Sequence, residues 1–221
     1  VEGKNGQAQF TKLNITADGA TAKNIYTYNP AGDAEGAYIN AKDVTIDGCT
    51  IQGGWGGLYQ SYTSGTVTFK NSYIGGGVYG IHFDGNNGGN IVIENCEVAG
   101  WTSFAKTITN VAITNTEFIE AGYNQLRFYQ NAQLEDCKFN ANMTIDFGTN
   151  DVDADFTDCT VEDGASLTDV IYLGDIVEMG VDVTINGEPL IVEAKVADAD
   201  GQNAKYYLTL SEAVNAATEN Q

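Results

Sequence analysis

The chain has 221 residues, and 30 Asp plus Glu against 10 Lys plus Arg give a formal net charge of -20. That excess repels a phosphate backbone and an anionic lipid surface, so neither nucleic acid nor direct membrane insertion is expected, and no apolar run approaches the ~18 residues of a membrane span. The 26 Gly beside abundant Thr, Val and Ile exclude a mainly helical design, and the length suits one good-sized core.

In chain order, six segments align without gaps: VTIDGCTI from Val44, VTFKNSYI from Val67, IVIENCEV from Ile91, VAITNTEF from Val111, AQLEDCKF from Ala132 and ADFTDCTV from Ala154. Weaker copies are AQFTKLNI from Ala8 and VTINGEPL from Val183. The small residue at the sixth position (Cys49, Ser72, Cys96, Thr116, Cys137, Cys159) recurs at spacings of 23, 24, 20, 21 and 22. Positions one and three are apolar around a polar residue, the period-two mark of a half-buried strand. Position five holds Gly48, Asn71, Asn95, Asn115, Asp136 and Asp158, with Gly187 in the last copy; these types tolerate a left-handed backbone, so the chain bends there. Lys12 breaks this rule in the first copy and predicts an irregular end coil.

A second strand precedes each copy: GGLYQSY at Gly56, YGIHFDG at Tyr79, NQLRFYQ at Asn124, MTIDFG at Met143 and DVIYLG at Asp169, with a less clear one near Phe104 in SFAKTITN, which starts at Ser103. Short strands repeating every 20-odd residues predict an all-β fold, a right-handed parallel β-helix of about eight coils, its hand following from parallel crossovers. This solenoid is assigned to residues 1–190 and a small C-terminal segment to residues 191–221. In that segment a hairpin is expected around Asp200–Gly201. One short helix follows, with capping-box spacing at Thr209 and Glu212 and an apolar stripe of Leu210, Ala213, Val214 and Ala217. The segment either caps the β-helix or begins a following unit.

The bend residues and the Cys/Ser/Thr column resemble the pectin-lyase-like β-helix superfamily over roughly residues 8–190. The tail KYYLTLSEAVNAATENQ resembles segments that introduce β-helix units in large surface proteins of gut-type bacteria. The resemblance implies an extracellular or cell-surface location in a bacterium and a place in a longer chain. It leaves the chemistry open, since such folds host lyases, hydrolases, adhesins and inert stalks.

Four cysteines in such a setting invite disulfides, and Cys137 and Cys159 lie on successive coils. Their side chains should point the same way, so buried free thiols are expected. On the second strand, alternation turns His82, Asp84, Arg127, Tyr129, Tyr59, Asp146 and Tyr172 outward, with Lys106 of uncertain register. The only His and the only Arg thus share a stripe with Tyr rings and carboxylates. Tyr59, His82, Arg127, Tyr129 and Tyr172 are the candidate ligand-binding residues, although a plain solvated sheet face would give a similar stripe. Lyases that this fold resembles abstract a proton with Arg or Lys, which makes Arg127, with His82, Asp84 and Asp146, the weak catalytic candidates. No metal site is assigned and no cofactor is expected, calcium being the one alternative. The acid runs Asp151, Asp153, Asp155, Asp158 and Asp198, Asp200, Asn203 could bind it but lack a full calcium-loop pattern, so solvated turns are the better reading. Glu94, Glu97, Glu117 and Glu135 should keep the surface soluble. The leading expectation is a non-enzymatic surface or secreted module, an adhesin-like unit for a glycan or a surface protein, or a rigid spacer. The alternative is a polysaccharide lyase or glycoside hydrolase using the His82/Arg127 face.

Overall fold

The computed structural model describes residues 8–84, 88–198 and 200–218. Gly85 of the YGIHFDG strand, and the end of the expected tail helix from 219 onward, lie outside the described residues. The chain winds into a solenoid with three faces. The first face carries eight parallel strands, from Thr21–Lys23 through Thr66–Lys70 and Ala132–Glu135 to Asp182–Ile185. The second runs from Ala8–Phe10 to Thr160–Val161, and the third from Leu13–Ile15 to Thr144–Phe147. Two strands, Tyr73–Phe83 and Glu97–Phe104, pass through the corner between the second and third faces, which joins those faces into one 13-stranded sheet.

The bend rule holds at every strong copy. Gly48, Asn71, Asn95, Asn115, Asp136 and Asp158 all have φ between 46° and 61°. Each turns the chain from the first face onto the second, and the asparagines add a ladder along the rod. Asn71 donates to Asp47, Asn95 to Asn71 and Asn115 to Asn95, at 2.9, 2.7 and 3.1 Å. Inside, residues of like type stack. Phe104, Phe128 and Phe147 follow one another at 6.2 and 6.1 Å, and Phe118 lies 5.4 Å from Phe139. Each fully buried ring contributes on the order of 2–3 kcal/mol. Cys49, Cys96 and Cys137 are buried free thiols and Cys159 is partly exposed. Their Sγ–H groups donate to carbonyls, as Cys49 does to Ala22 and Cys137 to Ile113.

Three expectations are corrected. First, complete three-strand coils number about six rather than eight. The segment AQFTKLNI is not a first-face copy, because Ala8–Phe10 pairs with Ile25–Thr27 on the second face. The true first copy is ATAKNIYT from Ala20, with Ala22 opposite Ile46 and Asn24 at φ 53°. At the other end Asn186 and Gly187 both have positive φ, so Ile185 pairs back with Glu188 in a hairpin and the rod stops. Second, DVIYLG is not a strand. Leu167–Val170 (α1) and Leu173–Met179 (α2) replace the third face there, leaving Ile171 as a single bridge to Ile145. Ser166 and Asp169 form a capping box that starts α1, a local signal that outweighs the apolar alternation. Third, the strand near Phe104 lies earlier than expected, in Gly100–Phe104, with Thr102 and Ser103 opposite Leu126 and Arg127.

The C-terminal segment forms the expected hairpin, Ala194–Val196 against Lys205–Tyr207. The helix Leu210–Thr218 (α3) follows, with reciprocal Thr209–Glu212 capping bonds. Of its apolar stripe Ala213 is buried, whereas Leu210 and Val214 are exposed.

Candidate functional site

The parallel register places the predicted stripe in one row across the third face. Leu58 lies opposite Ile81, so Tyr59 and His82 are neighbours; His82 lies opposite Ser103, Ser103 opposite Arg127, and Arg127 opposite Asp146. The Ile145–Ile171 bridge then puts Tyr172 one step beyond Asp146. Tyr172 therefore holds its place in the row as the residue capping α2 rather than as a strand residue, and it is 50% exposed.

The two ends of the row differ in chemistry. At one end aromatic rings gather around His82. Its ring stacks on Tyr59 at 5.2 Å and lies 5.0 Å from Tyr79. Tyr79 is 4.5 Å from Tyr59 and stacks on Trp101 at 5.2 Å. Trp55 stands at 88° to Tyr59 and outside that stack. Burial lowers the His82 pKa, an effect that nearby Asp84 partly offsets, so the ring is uncharged at neutral pH. Its 3.7 Å approach to the Asp84 carboxylate is then a polar contact rather than an ion pair. His82 Nδ1 and Trp101 Nε1 are buried without a protein hydrogen-bond partner, a cost to the fold.

Trp55, Tyr79 and Trp101 were missed by alternation because they sit at the corner before the third-face strand. A signal existed: Gly54-Trp55, Gly100-Trp101 and Gly122-Tyr123 each pair a glycine with an aromatic residue. The glycines are required by close approach. A Cβ on Gly77 would lie 2.6 Å from the Gly54 carbonyl oxygen, and one on Gly122 would lie 2.6 Å from that of Gly77. Successive coils thus pack backbone to backbone at this corner and throw the following ring outward. Tyr123 is 57% exposed.

At the other end Arg127 and Asp146 form a bidentate pair, with Nε donating to Oδ1 at 2.9 Å and a terminal nitrogen donating to Oδ2 at 2.6 Å. Gln125 donates to the same Oδ2 at 2.6 Å. The guanidinium also lies 6.0 Å from the centre of Trp101, which links the two ends by a cation–π contact. Its bonds to Asp146 raise the Arg127 pKa further, so this group holds its proton and makes a poor base. Asp175 of α2 accepts from the Phe147 amide at 2.8 Å, and burial raises its pKa. Tyr129 lies over Gly148, and Lys106, exposed in the turn after Phe104, reaches 5.6 Å from its ring.

Among the described residues no three or more His, Cys, Asp or Glu side chains gather in a metal-binding cluster. Asp153 is bonded to Asn131 and Asp155 to Thr184, while Asp198 receives Gln202 and Asn203 within its turn. These acids serve turns and cross-coil bonds. An open groove of about 580 Å³ runs beside the asparagine ladder, far from the aromatic row in the coil path, but its polar side chains bond to one another.

The comparisons with known proteins bear on the fold. A family model described as a right-handed β-helix region matches residues 4–103, slightly less than half of the chain. No curated protein and no solved structure matches. The strand register beyond residue 103 continues the same parallel winding through Asp182–Ile185. The chain is a right-handed parallel β-helix repeat protein.

Proposed function

We propose that the chain is a non-enzymatic, extracellular or surface-displayed binding module that takes a glycan on its third face. The observation that carries this reading is the aromatic strip of Trp55, Tyr59, Tyr79, His82 and Trp101, each of them partly exposed. Sugar rings present C–H faces to aromatic surfaces and hydroxyls to flanking polar groups. Here the flanking groups are the Arg127–Asp146 pair, Gln125, Asp84 and the tyrosine hydroxyls. Trp55, which meets Tyr59 edge-on, and the exposed Tyr123 add further aromatic surface beside the stack. A rigid rod built on stacked coils holds these groups without reorganisation on binding, which lowers the cost of association.

The lyase alternative asks Arg127 to lose a proton, and its bidentate bond to Asp146 opposes that. The test is a screen of immobilised polysaccharides, run with calcium and with EDTA, alongside an assay of the same polymers for new reducing ends or unsaturated products. Saturable binding that survives EDTA, yields no product and is lost in Trp101→Ala supports the proposal. Product formation, or binding indifferent to Trp101→Ala, overturns it.

A further inference from the structure

We propose that the cleft between the helical cap and the C-terminal hairpin is a second sugar subsite, so that the hairpin strand Lys205–Tyr207 completes the binding face. The inference rests on the glycan reading above. The cleft holds about 340 Å³, with Tyr172, Leu173 and Gly174 on the cap side and Lys205, Tyr206 and Tyr207 on the hairpin side. Gly174 makes room for Tyr172, since a Cβ there would lie 2.8 Å from the tyrosine ring. The hairpin wall is anchored: the Tyr206 hydroxyl donates to Glu178 of α2, and Lys195 sits 5.3 Å over the Tyr206 ring. That leaves Tyr172 and Tyr207 as the rings available to a ligand, beside the Lys205 ammonium.

Continuity with the row tells what the occupant is. Tyr172 is one step past Asp146, which is clamped by Arg127, which in turn faces Trp101. Five strand steps separate the Tyr59 rung from the Tyr172 rung, about 24 Å at the ~4.8 Å spacing of neighbouring strands. One ligand reaching both must be a linear oligosaccharide of several units laid along the rod axis. Its charge class follows from the side chains it would meet. Arg127 is neutralised by Asp146 and Lys195 by Glu178, on a chain of net charge -20. An uncharged polysaccharide suits that face, and a polyuronate is repelled.

The experiment is calorimetric titration of the whole chain with xylo-, manno- and gluco-oligosaccharides of two to eight units, with oligogalacturonides as the charged series. Affinity for a neutral series is expected to keep rising with length beyond the trisaccharide. Tyr172→Ala and Tyr207→Ala should each weaken the longest members about three- to tenfold while leaving the shortest unchanged, and Trp101→Ala should weaken all lengths. Circular dichroism identifies any variant that fails to fold, and Tyr172→Phe, which keeps the ring, should bind like the parent chain. The subsite is overturned if affinity stops rising at the trisaccharide, or if the cleft variants bind long chains normally while Trp101→Ala does not. Preference for oligogalacturonides overturns the neutral class. Loss of all binding, in the parent chain itself, overturns the glycan reading together with the subsite.

Discussion

Replacing Asn95 separates the two things the bend residue does. Asn95 holds φ at 53°, donates to Asn71 at 2.7 Å and accepts from Asn115 at 3.1 Å. Asn95→Ala and Asn95→Gly both remove those two exposed side-chain bonds, worth about 0.5 kcal/mol each at the surface. They differ in the backbone. Alanine in the left-handed region costs on the order of 1–2 kcal/mol, of which asparagine already bears part, whereas glycine has no such cost. The greater chain entropy of unfolded glycine offsets about 0.5 kcal/mol of that advantage. The alanine variant is therefore expected to lose about 1.5–2.5 kcal/mol and the glycine variant about 1–1.5. For a chain of this size the alanine variant should melt about 2–4 °C below the glycine variant. Differential scanning calorimetry reads the order directly. A glycine variant less stable than the alanine variant would refute the argument that residue choice at the bend answers to positive φ.

Three further outcomes follow from the site and core. Burial depresses the His82 pKa, so the stability it contributes is fully present above its unfolded value near 6.5 and is lost as pH falls through the folded value. The difference in melting temperature between the parent chain and His82→Phe should therefore shrink or reverse below pH 6.5, and a constant difference would contradict the burial. Asp146→Ala strips Arg127 of both bonds and is expected to cost about 1–3 kcal/mol in urea unfolding; an unchanged midpoint would show that the pair is slack. In thiol titration of the folded chain, Cys159 should react first, being partly exposed and with its pKa lowered by the Cys137 thiol. Cys96, pushed up to about 11 by burial, should wait for unfolding, and equal rates would contradict the buried column.

The six strong copies were legible because two independent signals coincide in each: apolar alternation, and a bend residue drawn from the few types that tolerate positive φ. Where one signal fades, the reading slips. The copy from Ala20 carries alanine and threonine at its first three positions, so its Asn24 bend went unnoticed while Ala8–Phe10 mimicked the alternation. DVIYLG also alternates, but the Ser166–Asp169 capping box fixes a helix before any strand can pair. The row from Tyr59 to Asp146 could be read because period-two geometry governs those strands, whereas Tyr172 joins it only through the single Ile145–Ile171 bridge. Trp55, Tyr79 and Trp101 could not, because a corner obeys no period. Its glycines answer to backbone from the adjacent coil, a contact more than 20 residues away in the sequence. Nor does alternation reveal that Arg127 is held by Asp146, which depends on the distance across two strands.

Both tryptophans of the chain, Trp55 and Trp101, lie in the aromatic strip. Intrinsic fluorescence therefore reports on the proposed site without a label. Titrating the folded chain with the neutral oligosaccharide that binds best should change tryptophan emission saturably, with a midpoint equal to the calorimetric affinity, and Trp101→Ala should remove most of that change. Tight binding with no change in tryptophan emission would place the ligand elsewhere on the rod and contradict the account.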